Sequence, residues 1–230
     1  WKLGRPITFQ AGQCSSIWWP GVEGAGAFSL ANPPGKADEV EVHVRLVEGG
    51  AATTYIHEQL KTGDALNLSG PYGQFFVRSS QPGDLIFIAG GSGLSSPQSM
   101  ILDLLAQNDE RKIVLFQGAR NLAELYNREL FEALDRDHDN FTYVPALSQA
   151  EEDSEWQGFR GYVHDAAKAH FDGRFAGNKA YLCGPPPMID AAITALMQGR
   201  LFERDIFMEK FLTAADGAED TQRSALFKKI

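Results

Sequence analysis

The sequence predicts a β + α/β chain: a small antiparallel barrel over residues 1–78, then a five-stranded parallel sheet with helices on both faces over residues 84–230. Two patterns carry this reading. As far as Arg78, short β-favouring runs are broken by Gly and Pro, which is how a compact antiparallel unit reads. From Asp84 onward, strand-like and helix-like runs alternate, which means a parallel sheet with helical crossovers. Ser79-Ser80-Gln81-Pro82-Gly83, residues 79–83, reads as the linker between them.

In the first unit the strand candidates are Ile7-Thr8-Phe9, Cys14 to Trp19, Ala27 to Ala31, Val40 to Val47 and Ala65 to Leu68. Val40, Val42 and Val44 alternate with Glu41, His43 and Arg45, the period of a half-buried strand. Gly12, Pro20-Gly21, Pro33-Pro34-Gly35, Gly49-Gly50 and Gly63-Asp64 supply the turns. Thr53 to Leu60 is the one helical pattern, with Thr53 at its start as an N-cap.

In the second unit, strands are expected at 85–89, 112–117, 141–146, 179–183 and 205–208, and helices near 95–106, 122–136, 162–170 and 187–198. Leu85-Ile86-Phe87-Ile88-Ala89 shows no polar alternation, as in a strand buried on both faces. It runs into Gly90-Gly91-Ser92-Gly93-Leu94-Ser95-Ser96-Pro97, after which Met100, Ile101, Leu104 and Leu105 mark one helical face. Strand, glycine turn and helix together aim backbone N–H groups at an anion, usually a phosphate. Related motifs fit less well. The third glycine of G-x-G-x-x-G is Ser96, a P-loop lysine is missing, and a nucleophile elbow stops at Leu94. A tight βα turn with spare glycines remains the alternative. Gly118-Ala119-Arg120 and Gly184-Pro185-Pro186-Pro187 also follow strand ends, so three loops converge on the sheet edge where ligands of such sheets bind.

Composition narrows the classes. The chain is 43% hydrophobic and 22% charged, ordinary for a soluble globular protein. No apolar run approaches the ~18 residues of a membrane span, and a cytoplasmic setting is expected. A net charge of −9 argues against nucleic acid and acidic membranes as partners. Cys14 and Cys183, the two cysteines, cannot hold a four-cysteine cluster and read as free thiols. The five histidines form no ligand pattern, so no metal site is expected. Glu151-Glu152-Asp153 reads as a solvated loop, Thr213 to Arg223 as a loosely ordered tail, and Trp18-Trp19 as barrel packing.

At this point a resemblance becomes specific. The Gly90–Pro97 turn resembles the pyridine-nucleotide loop of the ferredoxin–NADP reductase superfamily. Tyr181-Leu182-Cys183-Gly184-Pro185-Pro186-Pro187-Met188 is similar to its C-G-P-x-x-M signature, and Glu209-Lys210-Phe211 to its terminal aromatic segment. Gly50-Ala51-Ala52-Thr53 and Gly70-Pro71-Tyr72-Gly73-Gln74-Phe75 resemble its flavin-domain loops. All five occur in order over nearly the whole chain. Phe116-Gln117-Gly118-Ala119-Arg120 and Ala27-Phe28-Ser29-Leu30-Ala31-Asn32 most resemble the reductase components of bacterial multicomponent phenol hydroxylases, which are relatives of methane and toluene monooxygenase reductases.

The resemblance implies an NADH-dependent flavoprotein. NADH gives a hydride to FAD, and FAD passes electrons singly to a [2Fe-2S] ferredoxin domain, which serves a diiron hydroxylase acting on a phenol-type aromatic compound. With no cluster cysteines present, a flavin-and-NAD fragment of a longer reductase is expected.

By the same resemblance, Ala27, Phe28, Ser29, Val44, Arg45, Ala51, Ala52, Thr53 and Phe211 bind FAD. Phe28 packs on the flavin ring or is an ordinary core aromatic; Ser29 puts a hydroxyl near flavin N5. The Ala51–Thr53 amides meet the pyrophosphate, and Phe211 covers the other flavin face. Gly91, Ser92, Gly93, Leu94, Gly118, Arg120, Cys183, Gly184, Pro185, Pro186 and Met188 bind NAD. Cys183 lies beside the nicotinamide or is a buried strand-end thiol, and Glu209 stabilises flavin charge. Ser29, Cys183, Glu209 and Phe211 form the catalytic group.

Three features depart from the family. Gly26 stands where its flavin fingerprint has arginine, Cys14 where an aromatic is usual, and the first barrel strand is missing. Gly26 and Cys14 support the rival reading, a flavin-poor nucleotide-binding or docking module. Arg120 is the only Arg or Lys between Phe116 and Tyr126, which favours NADH over NADPH.

Overall fold

The structure is a computed structural model and describes residues 1–35, 38–78, 81–150 and 155–211. Parts of three expectations lie outside these residues: linker positions Ser79 and Ser80, the Glu151-Glu152-Asp153 run, and the Thr213–Arg223 tail.

The first unit holds three strands, β1 (Cys14–Trp18), β2 (Ala25–Ser29) and β3 (Asn67–Tyr72), in the order β2-β1-β3. Both pairings are antiparallel, and Cys14 stands opposite Ser29. No ladder forms over 7–9 or 40–47, so the expected barrel is a three-stranded sheet extended by the isolated bridges Lys2↔Glu39 and Leu30↔Val42. Alternation reports which side chains turn inward; a ladder also needs a neighbour to run alongside. Here Asn32 takes over two backbone groups, its Nδ2 donating to Glu39 O at 3.0 Å and its Oδ1 accepting from Glu41 N at 2.9 Å. The inward face is still apolar, with Phe9, Leu30 and Val40 buried together. Trp19 is buried as expected, whereas Trp18 is exposed.

Helix α1 (Ala51–Glu58) starts two residues before the predicted position, and its N-cap is Gly50. Thr53 is therefore inside the helix. Its Oγ1 accepts from Val47 N at 3.1 Å and donates back to Gly50 O at 3.1 Å, tying the first turn to the approaching chain.

The second unit is a six-stranded parallel sheet, one strand more than predicted. It consists of β4 (Leu85–Gly90), β5 (Ile113–Ala119), β6 (Phe141–Leu147), β7 (Phe159–Arg160), β8 (Lys179–Gly184) and β9 (Ile206–Lys210), in the order β7-β6-β5-β4-β8-β9. The extra strand, β7, is two residues long, too short to show any period. The helices are α2 (Ser95–Ala106), α3 (Arg128–Asp137), α4 (Val163–His170) and α5 (Pro186–Gln198). The predicted 122–136 helix is divided. Leu122–Glu124 is a separate 3-10 turn, and Asn127 adopts φ 56 before α3 begins, a left-handed conformation that asparagine tolerates.

Alternate residues of β4 feed opposite layers. Leu85, Phe87 and Ala89 pack with α2 and α3, while Ile86 and Ile88 pack with α4 and α5. The connection after β4 therefore covers one face and that after β8 the other. Their carboxyl ends lie side by side at a topological switch point, where open α/β sheets bind ligands.

The first unit closes over this edge. Ala11 and Phe75 join the α2 core layer, and Ser99 Oγ donates to Asn32 O at 2.7 Å. Gly12 has φ +97, and a Cβ there would meet Met100 Cε and the Phe75 carbonyl oxygen at 2.2 Å, so this approach needs glycine. Among the described residues no helix is long and apolar enough to cross a membrane.

Candidate functional site

The register of the parallel sheet aligns three residues at its carboxyl edge. Cys183 on β8 stands opposite Ala89 on β4 and Glu209 on β9. The Glu209 carboxylate gathers donors from three other parts of the chain. Its Oε2 accepts from Ser29 Oγ on β2 at 3.2 Å and from Ser96 Oγ on α2 at 3.2 Å, with Cys183 Sγ at 3.9 Å. Burial pushes the Glu209 carboxyl above its ordinary range, while the Ser29, Ser96 and Cys183 donors pull the other way. The Cys183 thiol is raised well above its usual value by burial first and the Glu209 charge second. It is thus a neutral, fully buried thiol and unsuited to act as a nucleophile. Cys14, opposite Ser29, is half-buried, and its thiol is raised by burial and then by Glu209.

The sequence reading missed Ser96, because it was weighed only as the third glycine of a dinucleotide motif. A hydroxyl facing the last strand is the feature that reading passed over.

The glycine turn is a 3-10 turn, Gly91–Leu94, running directly into α2. It has no side-chain cap and no acidic residue in its first turn, which leaves its leading N–H groups open to an anion. Ser92 and Gly91 are accessible there, whereas Leu94 is fully buried in the core and offers only its backbone. The glycines also serve close packing. A Cβ on Gly93 would stand 2.5 Å from the Cys183 carbonyl oxygen, and one on Gly184 2.9 Å from the Gly90 oxygen. Gly118, paired with Gly90, would meet Val163 Cβ at 2.9 Å. Pro185 caps α5 and Pro186 opens it, where the missing N–H costs nothing. Met188 lies against Gly90 and Gly184. Phe211 packs on the core layer that holds Cys183, and its N–H donates to Gly184 O at 2.9 Å.

Arg120 lies outward from this group. Its guanidinium is gripped by Glu124, with Nε at 2.8 and 3.0 Å from the two carboxylate oxygens. Arg120 holds the Glu124 carboxyl low, and the weakest contribution comes from the charge of Arg45. Val44 is half-buried, and its carbonyl accepts from His57 Nε2 at 3.1 Å, tying that segment to α1. Ala51, Ala52 and Thr53 form the uncapped start of α1. Ala27 is exposed, and Phe28 packs edge-on against Trp19, ring centroids 5.6 Å apart. Gly26 and Phe28 share a strand face, and a Cβ on Gly26 would meet the Phe28 ring at 2.5 Å. The arginine of the family fingerprint is thus replaced by space that Phe28 fills.

The start of α1 in the first unit and the glycine turn before α2 in the second both offer backbone N–H groups without a side-chain cap, and buried Ser29, Ser96 and Cys183 gather on the half-buried Glu209 carboxylate. That donor set fits two dinucleotide pyrophosphates meeting over a redox centre. The fold and site define a two-unit oxidoreductase that binds a flavin and a pyridine nucleotide. The chain belongs to the ferredoxin reductase family of FAD- and NAD-binding oxidoreductases. A family profile described as the oxidoreductase FAD-binding domain matches residues 6–77, and the oxidoreductase NAD-binding domain matches 87–194.

The chain is 76% identical over 229 residues to the phenol 2-monooxygenase reductase component DmpP of Pseudomonas sp. (strain CF600). It is 64% identical to the phenol hydroxylase P5 protein of Acinetobacter pittii (strain PHEA-2). Both matches cover all of this chain, which spans 65% of the length of each relative. The crystal structure of the Amycolatopsis cytochrome P450 reductase GcoB superposes with a TM-score of 0.84 at 32% identity, over 91% of this chain and 63% of that one.

Proposed function

We propose that this chain is the flavin and nucleotide part of an NADH-dependent reductase component. In this reading it passes electrons towards a [2Fe-2S] ferredoxin domain and the diiron hydroxylase of a phenol-type monooxygenase, in a cytoplasmic setting. The observation that carries the reading is the meeting of Ser29 from the antiparallel unit with Ser96, Cys183 and Glu209 from the parallel unit on one carboxylate. The 76% identity to a phenol 2-monooxygenase reductase component supports the choice of system. The division between the two units is placed at residues 79–83.

The cofactors supply the redox chemistry: NADH yields a hydride and FAD accepts it. The chain binds, orients and shields. The start of α1 at Ala51, Ala52 and Thr53 holds the FAD pyrophosphate, with Ala27, Phe28, Val44, Arg45 and Phe211 shaping the rest of that site. Gly91 and Ser92 present open amides to the nucleotide pyrophosphate, with Gly93 and Leu94 completing the turn that holds them, flanked by Gly118, Arg120, Gly184, Pro185, Pro186 and Met188. Ser29 Oγ has one proton, which here goes to Glu209; it would have to leave that carboxylate to donate to a nitrogen of the flavin. The neutral, buried Cys183 thiol adds no charge of its own to the site and helps exclude water from it. NADH is favoured because Glu124 already occupies Arg120, leaving the 2′-phosphate of NADPH without that partner.

The test is direct. The chain is incubated with FAD, freed of excess, and titrated anaerobically with NADH. The expected result is a bound flavin spectrum that NADH bleaches. Failure to retain FAD, or bound FAD that dithionite reduces and NADH does not, refutes the proposal.

A further inference from the structure

Val40–Val47 reads in sequence as a half-buried strand with His43 on its polar side. In the structure the His43 side chain is only 12% exposed and reaches across to the parallel unit. Its ring meets Tyr126 edge-on, centroids 5.1 Å apart at 88°, and its Nδ1 lies 3.0 Å from Tyr126 Oη. The Tyr126 hydroxyl donates to the Gly91 carbonyl at 3.1 Å. That hydroxyl has one proton. When it serves Gly91, the oxygen accepts from His43, and Nδ1 carries the hydrogen.

Both ends of this bridge are braced. Glu41 Oε1 accepts from Gln98 Nε2 on α2 at 3.1 Å and lies 3.0 Å from His43 Nε2, which can donate to it only when the ring carries a hydrogen on both nitrogens. The Tyr126 carbonyl accepts from Gln117 Nε2 at 3.0 Å, and Gln117 Oε1 accepts from Tyr143 at 2.6 Å. Asn127 Nδ2 donates to Gln98 Oε1 at 2.7 Å. Burial pushes the Tyr126 hydroxyl far up, so it remains a donor throughout the neutral range.

The consequence lies in one peptide plane. The Gly91 carbonyl and the Ser92 N–H belong to the same planar unit and point in opposite directions. Gly91 has φ +55 and open space where a Cβ would go, so beyond the turn's own i→i+3 bonding no packing of Gly91 fixes that plane. We infer that His43 and Tyr126 are positioning residues: by holding the Gly91 carbonyl they aim the Ser92 amide at the nucleotide phosphate, and they lock the nucleotide loop to the unit that carries the flavin. The inference rests on the proposed function for the identity of the ligand, not for the bridge itself.

Two measurements test it. The first is amide hydrogen exchange of Ser95, whose N–H donates to Ser92 O, measured without cofactors. The second is NADH reduction of an artificial acceptor by the FAD-loaded chain. Tyr126→Phe and His43→Leu should both speed Ser95 exchange and raise the NADH KM about five- to tenfold, the loss of roughly one hydrogen bond, with kcat falling less. His43→Asn, which keeps a donor near the Nδ1 position, should restore both readouts. The double variant should be no worse than Tyr126→Phe alone, because the residues act in series.

Unchanged exchange in both single variants overturns the bridge. Faster exchange with an unchanged KM overturns its role in positioning the nucleotide. Wild-type FAD that NADH cannot reduce instead defeats the proposed function and leaves the exchange result standing.

Discussion

Gly93 is the most sharply constrained position at the switch point, and Gly93→Ala is the perturbation that probes it. A Cβ there would lie 2.5 Å from the Cys183 carbonyl oxygen and 2.6 Å from the Gly184 Cα, about 0.9 Å inside an ordinary 3.4 Å contact. Neither atom can yield easily. Cys183 is hydrogen-bonded in register with β4 on one side and β9 on the other. The Gly91–Leu94 turn must therefore lift away from β8 and take Ser96 with it, off the Glu209 carboxylate. Overpacking of this kind costs about 1–3 kcal/mol, or about 2–12 °C in Tm for a chain of this size. Gly90→Ala is the internal control. Its Cβ would meet Met188 Sδ at 2.5 Å, but a methionine tip can rotate aside, so its loss should stay below about 1 kcal/mol. Thermal unfolding followed by circular dichroism, together with the NADH KM of the FAD-loaded chain, measures both. Gly93→Ala should show the larger fall in Tm and a KM raised on the order of tenfold or more. Equal losses in the two variants, or a neutral Gly93→Ala, would refute the idea that backbone contact with β8 fixes the nucleotide loop.

Three further outcomes are expected. Because burial raises the Glu209 carboxyl, the folded state holds a proton there after the unfolded chain has lost it. Stability should therefore fall as pH rises from the ordinary carboxylate range through the raised value, and urea unfolding at a series of pH values should show a flatter profile for Glu209→Gln. NADH should give a higher kcat/KM than NADPH with an artificial acceptor, and Glu124→Ala, by freeing Arg120, should narrow that ratio; a preference for NADPH in the wild type would defeat this account. Gly26→Arg should tighten FAD binding, measured by flavin fluorescence quenching, by less than the roughly 10- to 100-fold that one charge-assisted contact is worth, because the Phe28 ring must first turn aside. Unchanged or weaker affinity would place the pyrophosphate away from β2.

What the sequence determined by itself is what local pattern encodes. The unbroken apolar run Leu85–Ala89 required a strand covered on both faces, and it is the central β4 with both faces buried. The glycines at 90, 91, 93 and 184 marked a turn of restricted geometry, and the order of the loops carried the family. The tertiary structure alone decided which residues meet. Alternation placed His43 with polar neighbours, yet its ring is enclosed against Tyr126, 83 residues away. Ser29 and Glu209 are 180 residues apart and share one hydrogen bond. The predicted strand at Val40–Val47 found one isolated bridge, at Val42, whereas the two-residue β7 pairs with β6 along its whole length. The reason is physical. Periodicity and backbone tolerance report the face a residue turns and the conformations it accepts, whereas a hydrogen-bond partner is chosen by chain closure over tens of residues, which no local window contains.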